Sequence, residues 1–376
     1  MSDPTTGRPA SLKYRAHTAG LDPDYWYPAA QIADLRPGSV KEVVFWKTSI
    51  ALYRDADGSF HALENRCAHR HLRLSEGKVA GPHLVCRYHG WSYDGTGRLA
   101  HVSHEITGRR LPKICVASYP VREKYGLVWI FPGDRARAEA VPLPAIHELD
   151  DGQPCEVMPI VMTLRSHHAM IVENVCDFNH EMLHEGFHPF AGQKLTRNER
   201  VGDTIHVGYD TTVGTHGIVS YFTGGERSGT IRLWYQYPYQ GSNTDDRYIH
   251  WLFNRPIDES TTECFFLFLF RAVHLPVVHR PLPAWLWKPI LKMAEYTYVR
   301  PLLAQDKWAL EEEQRCFEVH GDRPSAELNP IVPAFRTLTV EKWNEHLRRR
   351  EAPRDDDADA VSDASSEIEP AAHTSL

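Results

Sequence analysis

The sequence predicts a two-domain α+β protein, in which a small antiparallel β domain precedes a larger domain built on one antiparallel sheet. The chain has 376 residues, which is long enough for two domains. Its first third consists of short β-type runs separated by turn signals. The remainder contains longer β-type segments with one helical stretch before them and another after them, which is typical of an α+β domain.

The first domain is expected at residues 22–135, after an N-terminal extension at 1–21. That extension is polar and lacks the apolar core of a signal peptide. Gly-containing turn signals such as Asp57-Gly58 and Asp94-Gly95 separate the runs. The predicted strands are Lys41–Lys47, Ile50–Arg54, Phe60–Glu64, Leu84–Arg87, Trp91–Tyr93 and Leu127–Phe131.

The second domain is expected at residues 136–349, after a linker rich in Ala, Pro and charge. A helix is predicted over Ala169–Glu185, and a second helical region over Trp285–Cys316, where Pro289 and Pro301 must break or kink it. The predicted strands are Val157–Arg165, Thr204–Thr212, Gly229–Tyr239, Tyr248–Pro256 and Glu263–Val273. Residues 350–376 are highly acidic with few apolar side chains, so we expect a disordered tail.

Composition excludes several classes of protein. The net charge is −7 and there is no basic stripe, which argues against a nucleic-acid partner. The seven cysteines are scattered rather than arranged as a disulfide framework, which indicates a reducing cytoplasm. The most apolar run, Cys264–Phe270, is too short to span a bilayer.

Two Cys/His blocks carry the first candidate site. Cys67 and His69 lie in C-A-H-R-H, and Cys86 and His89 lie in C-R-Y-H-G-W. Two thiolates and two imidazoles are the ligands of a Rieske [2Fe–2S] cluster, in which two Cys hold one iron and two His hold the other. Structural zinc is the alternative, but zinc fingers usually pair Cys with Cys and His with His. The pattern therefore favours a cluster that passes electrons one at a time.

A second metal site is indicated by E-N-V-C-D-F-N-H-E-M-L-H. His180 and His184 are four residues apart, so a helix would place both on one face, with Asp177 on the same stripe. Non-haem iron sites use two His and one carboxylate and leave positions open for O₂ and substrate. Asp306 is the favoured carboxylate, and the run Glu311, Glu312 and Glu313 is the alternative, although charge runs are usually solvated.

With these motifs in place, the chain resembles the terminal oxygenase α subunits of the Rieske non-haem iron oxygenases, and most of all the branch of homotrimeric monooxygenases and demethylases with only α subunits. The opening W-Y-P-A-A, the two Cys/His blocks and the E-N-x-x-D-x-x-H segment carry the resemblance, over residues 22–320. It implies a helix-grip (START-like) catalytic domain. It also implies a cluster on Cys67, His69, Cys86 and His89, and a mononuclear Fe(II) on His180, His184 and Asp306.

The same resemblance implies that Asp177 links a cluster histidine of one subunit to the iron of its neighbour in a head-to-tail trimer. One departure concerns the spacing, because much of the family places four residues between its iron histidines and this chain has three. His188 is the alternative to His184. His167 and His168 have no motif behind them, and we interpret them as pocket or surface residues.

The expected activity is O₂-dependent hydroxylation or oxidative demethylation, with electrons from a ferredoxin or an NAD(P)H-dependent reductase. Dense aromatic residues in the later strands favour a largely hydrophobic substrate, aromatic or polycyclic. Oxidative cyclisation is the alternative reaction, and an electron-transfer protein without a mononuclear iron is the alternative class. The aromatic and lysine-containing segment Leu282–Tyr298 packs in the core, caps the pocket or makes peripheral contact with a membrane.

Overall fold

The structure is a computed structural model that describes residues 9–102, 113–184, 186–187, 189–213, 227–246, 248–271 and 284–351. Two of the expected features, the alternative ligand His188 and the tail beyond residue 351, lie outside these ranges. The predicted fold class is confirmed, since a small β domain precedes a large antiparallel sheet flanked by helices.

The first domain contains eleven short strands arranged in three sheets. Six correspond to the predicted runs, of which Phe60–Glu64 has the predicted bounds and five have shifted ends, and the others are short or lie next to turns. The strands are β1 Tyr27–Gln31, β2 Ser39–Phe45, β3 Thr48–Arg54, β4 Phe60–Glu64, β5 Lys78–Ala80, β6 His83–Val85, β7 Ser92–Tyr93, β8 Leu99–His101, β9 Ser118–Tyr119, β10 Val121–Lys124 and β11 Leu127–Ile130. The sheets have the orders β1-β11-β10, β2-β3-β4-β9 and β5-β6-β7-β8.

The second domain is built on a seven-stranded antiparallel sheet of order β12-β18-β17-β16-β15-β14-β13. Its strands are long, and each pairs with its neighbour along most of its length. They are β12 Cys155–Leu164, β13 Phe190–Val201, β14 Thr204–Val213, β15 Arg227–Gln236, β16 Tyr239–Thr244, β17 Tyr248–Asp258 and β18 Thr261–Arg271.

Six α-helices accompany the strands in the described part of the chain. They are α1 Leu12–Ala16, α2 His147–Asp150, α3 His168–Cys176, α4 Ala284–Ala294, α5 Arg300–His320 and α6 Val332–Glu351. A π-helical turn, Glu295–Val299, joins α4 to α5. None of the described helices is both long enough and apolar enough to cross a bilayer.

The central strands of the large sheet are buried on both faces, to which successive side chains of a strand point alternately. On β17, Trp251 and Phe253 pack with Trp26 and Trp129 of the first domain. Leu252, between them in sequence, packs on the opposite face with residues of α3, α4 and α5. The helix-covered face is therefore the one on which a pocket between sheet and helices can form.

The predicted helix over Ala169–Glu185 is wrong in its second half, because α3 ends at Cys176. Asp177 has an extended backbone (φ −94°, ψ 97°), and its side chain accepts a hydrogen bond from the backbone N–H of Asn179 at 2.9 Å. That local turn competes with the helix. His180 follows in a loop, and His184 ends a 3₁₀ turn, Glu181–His184.

The N-terminal segment is packed against the second domain rather than extending away from it. α1 contacts α6, and His17 is buried against Glu173 of α3 at 2.9 Å. Arg336 of α6 holds the other side of the same carboxylate, with nitrogen–oxygen distances of 3.0 and 2.7 Å. Both ends of the described chain are thus tied to α3.

Two candidate metal centres

The first candidate centre is formed by two loops of similar geometry at the tip of the first domain. In each loop the cysteine N–H donates to the carbonyl five residues later, from Cys67 to Leu72 at 2.8 Å and from Cys86 to Trp91 at 2.8 Å. Each cysteine carbonyl also accepts from the residue four positions on, which has a positive φ: 59° at His71 and 68° at Gly90. The two loops therefore present their Cys and His side chains in matching positions.

The two ligand types differ in burial. Cys67 and Cys86 are buried within hydrogen-bonding distance of each other, and neither forms a disulfide. His69 is exposed and His89 half-buried, with their ring centroids 4.6 Å apart. A cluster with one iron on two inner sulfurs and the other on two outer imidazoles fits this donor set.

Neighbouring aromatic side chains hold these ligands. The Tyr93 hydroxyl lies 3.2 Å from Cys67 Sγ and accepts from the Ala68 N–H at 3.0 Å. The Trp91 ring stacks on His69, with centroids 4.8 Å apart and planes 7° apart. Sequence reasoning missed Tyr93 as a partner of the cluster loops, and its only sequence signal is its place in the strand that follows C-R-Y-H-G-W.

The second candidate centre brings together the two histidines and the aspartate that the sequence suggested. Asp306 Oδ1 lies 3.8 Å from His180 Nε2 and 3.6 Å from His184 Nε2, and the three ligand atoms fall within 4.8 Å of one another. Asp306 lies within α5, about two turns after its first residue.

Each ligand of this centre is oriented by a neighbour. His184 Nδ1 lies 3.1 Å from Gln305 Oε1, so Nδ1 carries the proton and the Nε2 lone pair faces Asp306. His180 forms a hydrogen bond with the Asp177 backbone. Asn174 of α3 donates to the Asp306 carboxyl group, while Asp306 Oδ1 is buried without a partner. Gln305 and Asn174 were missed by sequence reasoning, although Gln305 adjoins Asp306.

The electrostatics of this centre suit a cation. Burial, followed by the neighbouring His184, lowers the pKa of His180 to about 4, and burial lowers that of His184 as well. Both imidazoles are therefore neutral near pH 7 and able to bind a metal. Burial raises the pKa of Asp306 to about 7, because nothing nearby neutralises its carboxylate. An orphaned buried carboxylate oxygen facing two neutral imidazoles fits the two-His, one-carboxylate donor set.

The alternative carboxylates are engaged elsewhere. Glu311 accepts from the Arg165 N–H at 3.0 Å, Glu312 pairs with Arg315, and Glu313 lies near His17 and Glu173. His167 and His168 are buried core residues, and each Nε2 lies 3.0 Å from the Ala19 carbonyl oxygen. The interpretation of these two histidines as pocket or surface residues is therefore wrong.

Asp177 lies at the surface beside this centre. Its Oδ1 accepts hydrogen bonds from the Asn179 N–H and from Asn329 Nδ2, the latter at 2.8 Å. It lines a surface depression whose rim includes Leu328, which is 92% exposed. His180 forms its hydrogen bond with the Asp177 backbone, not with the Asp177 carboxylate.

Comparison with known proteins agrees with this geometry. Residues 25–120 match the model of the Rieske [2Fe-2S] domain. The chain is 48% identical over 341 residues to a 4beta-methylsterol monooxygenase of Methylococcus capsulatus, covering 90% of this chain and 92% of that protein. It is 34% identical over 186 residues to the oxygenase component of dicamba O-demethylase of Stenotrophomonas maltophilia, covering 47% and 52%.

Solved structures share the whole architecture. Dicamba monooxygenase bound to dicamba superposes with a TM-score of 0.69 at 22% identity, covering 87% of this chain and 98% of that one. The terminal oxygenase of carbazole 1,9a-dioxygenase from Nocardioides aromaticivorans gives 0.64 at 22% identity, covering 88% and 97%. At this level of identity the likeness establishes the fold.

Proposed function

This chain belongs to the Rieske non-haem iron oxygenases, and from that premise we propose that it oxidises a methyl group on a sterol-like, fused-ring substrate. It is an O₂-dependent oxidoreductase with a [2Fe–2S] cluster and a mononuclear non-haem iron, and it acts on hydrophobic molecules. As an oxygenase component it receives its electrons from a separate redox protein. The finer assignments below are proposals.

We assign the cluster to Cys67, His69, Cys86 and His89, and the mononuclear iron to His180, His184 and Asp306. The two cofactors, when bound, supply the activation of O₂ with electrons delivered one at a time. The residues of the chain orient the metal ligands. Gln305 and the Asp177 backbone orient the His184 and His180 rings, and Asn174 holds the Asp306 carboxyl group.

The substrate assignment is carried by the relative from Methylococcus capsulatus, because the similarity extends over 90% of this chain and so includes the pocket-forming sheet and helices. The helix-covered face of the sheet supports it. That face is lined with aliphatic, aromatic and sulfur-containing side chains, which suit a rigid apolar ring system. They include Met158, Ile160, Leu252, Phe266 and Phe268.

The assembly we propose is a head-to-tail homotrimer, in which the cluster tip of one subunit docks beside Asp177 of the next. Apolar side chains are exposed on both surfaces: Tyr88 (54%) at the cluster tip and Leu328 (92%) beside Asp177. Asp177 would accept a hydrogen bond from a cluster histidine of the neighbouring subunit. A ferredoxin or an NAD(P)H-dependent reductase would supply the electrons.

Peripheral contact with a membrane is a further part of this proposal, since a sterol-like substrate resides in bilayers. Met293 and Tyr296 are exposed side by side on α4 and the π-helical turn, and Lys292 Nζ lies 4.9 Å from the Tyr296 ring centroid. Apolar and cationic side chains together suit an anionic lipid surface. Flotation with anionic vesicles should be reduced in Tyr296→Asp.

The test is turnover by the iron-loaded enzyme with a redox partner, on a 4-methylsterol and on the same sterol without the methyl group. We expect oxygen uptake and a product that gains one oxygen atom only with the methylated sterol. A product that has lost two hydrogens and gained no oxygen would favour oxidative cyclisation. Turnover of neither sterol would refute the substrate assignment.

A further inference from the structure

We propose that Ser242 and His250 form the polar anchor of the substrate pocket, where His250 hydrogen-bonds the single oxygen of the ring system, a hydroxyl or a carbonyl, at its methylated end. This inference rests on the proposed function and deepens it. In a 4-methylsterol the only polar group of the ring system is bonded to the carbon next to the methylated one. An enzyme that recognises that oxygen fixes which end of the molecule faces the iron ligands.

The pair stands on the helix-covered face of the large sheet. His250 is two residues before Leu252 on β17, so both side chains lie on the same face. Ser242 on β16 is the register partner of His250. The next strands continue this row with apolar residues, Phe268 on β18 and Met158 on β12. The row therefore contains one polar pair in an otherwise apolar wall.

His250 remains partly exposed although it lies in the middle of the sheet, on the face that helices cover. Its side chain and that of Phe268 are half-buried, whereas Leu252 and Ser242 are fully buried. Two further polar side chains of this face are withdrawn: Gln240 donates to the Val172 carbonyl of α3, and Asn254 is only 3% exposed. In the middle of this face, the His250 ring is therefore the polar group that a ligand would meet.

A series of residues leads from the iron ligands towards this row. The Phe187 N–H donates to the His184 carbonyl at 3.0 Å. The Phe187 ring contacts Tyr298 of the π-helical turn, with centroids 5.6 Å apart. Tyr298 in turn lies close enough to Tyr248 to interact with it electrostatically, and Tyr248 is two residues before His250 on the same face. The series therefore links the iron ligands to the face of the sheet that carries His250.

The protonation of the pair leaves one ring N–H for a ligand. Burial lowers the pKa of His250 to about 4, so its ring is neutral and carries one N–H. Ser242 Oγ lies 2.7 Å from Nδ1 and 3.5 Å from Nε2, and the second distance is too long for a good hydrogen bond. When the hydroxyl donates to Nδ1, the proton resides on Nε2. A substrate oxygen would give that N–H a better acceptor than the distant Ser242 hydroxyl does.

The experiment compares the iron-loaded wild type with His250→Phe and His250→Gln on a 4-methylsterol and on its analogue lacking the oxygen. We expect the wild type to prefer the oxygenated sterol about ten- to a hundredfold in kcat/KM. His250→Phe keeps the ring volume and removes the donor, so it should lose that preference. His250→Gln, which restores an N–H donor, should recover part of the preference.

His206→Phe, a change to a histidine of β14 on the same sheet, is the matched control and should behave as the wild type. Equal kcat/KM for the two sterols in the wild type would overturn the anchor and leave the proposed function standing. An unchanged preference in His250→Phe would also overturn it. If the wild type oxidises neither sterol, the proposed function fails and the anchor fails with it.

Discussion

Asp306 is the side chain on which the second metal centre depends most, because its Oδ1 faces both imidazoles and has no other partner. We expect Asp306→Asn, His180→Ala and His184→Ala each to lose one iron atom per chain and all turnover, because two ligands hold the metal far more weakly than three. The absorption spectrum of the cluster should be unchanged.

Metal analysis together with oxygen uptake checks this prediction. Glu312→Ala is the control, since that exposed glutamate pairs only with Arg315 on its own helix, and it should retain full iron and activity. Full activity in Asp306→Asn would mean that another carboxylate holds the metal.

Asp177 is the residue through which we expect electrons to cross between subunits. Asp177→Asn keeps the oxygen that accepts from Asn179 and Asn329 but removes the charge. Both metals should stay bound, while reoxidation of the reduced cluster in a single turnover slows by about a hundredfold. Rapid reoxidation in this variant would show that electrons take another route.

His168 should make stability depend on pH. Burial lowers its pKa to about 4, below the ordinary value of 6.5, so the folded state resists protonation. The stabilisation is present above pH 6.5 and is lost as pH falls from 6.5 towards 4, by about 3 kcal/mol over that range. Urea unfolding midpoints measured at several pH values should fall less steeply in His168→Gln. An equal pH dependence of the unfolding midpoint in the wild type and in His168→Gln would contradict this assignment.

Among the secondary-structure elements, the sheet β5-β6-β7-β8 positions the cluster loops. It depends on the close approach of the Gly77 backbone to the Val85 carbonyl group. A Cβ on Gly77 would lie 2.2 Å from the Val85 carbonyl oxygen and 2.9 Å from the Leu74 carbonyl oxygen, and both are backbone atoms that cannot move aside as a flexible side chain can. We expect Gly77→Ala to cost about 3 kcal/mol of stability and to lower cluster occupancy, because β6 leads directly into Cys86. Thermal unfolding and the visible spectrum measure both effects.

Gly81, in the turn between β5 and β6, is the matched control. Its φ is +57° but no atom lies within 4 Å of a Cβ placed there. Gly81→Ala should therefore cost only about 1 kcal/mol and leave the cluster in place. Equal losses at the two positions would show that crowding at Gly77 is unimportant.

The strands and helices show what the sequence could and could not predict. Strands with strong apolar patterns, such as Phe60–Glu64, were found with their correct bounds. The edge strand β13 was missed because it is polar and largely exposed, as edge strands often are. Helix α6 was missed because its buried face includes Arg336, Lys342 and His346, whose polar groups contact acids that lie far away in sequence.

The candidate iron ligands were chosen on a partly mistaken argument. A four-residue spacing suggested one helix face, whereas a loop and a 3₁₀ turn bring His180 and His184 together. The spacing alone could not reveal this, because the Asp177 side chain ends α3 through a local hydrogen bond. Asn329, which holds Asp177, is 152 residues away and has no signal in the sequence.

The proposed trimer leads to a prediction about the mass of the protein in solution. Leu328 is 92% exposed on the rim beside Asp177, where the cluster tip of a neighbour would dock. We expect Leu328→Arg to lower the mass measured by light scattering from that of three chains towards one, because a charge would be buried in an apolar contact. Val201→Arg, at another exposed apolar residue, should leave the mass unchanged. A wild-type monomer would refute the proposed assembly.

The attachment of both ends of the described chain to α3 has a consequence for how this protein can be cut and rejoined. α1 contacts α6, and Asp22 pairs with His346 and Arg349, so the first and last described segments lie against each other. A linker could join these two segments, and new termini could be opened at the exposed β13–β14 turn around Gly202. Removing residues 9–21 should instead destabilise the fold, since it would remove His17 from its buried contact with Glu173. We therefore expect a permuted chain to be more stable than a chain that lacks residues 9–21.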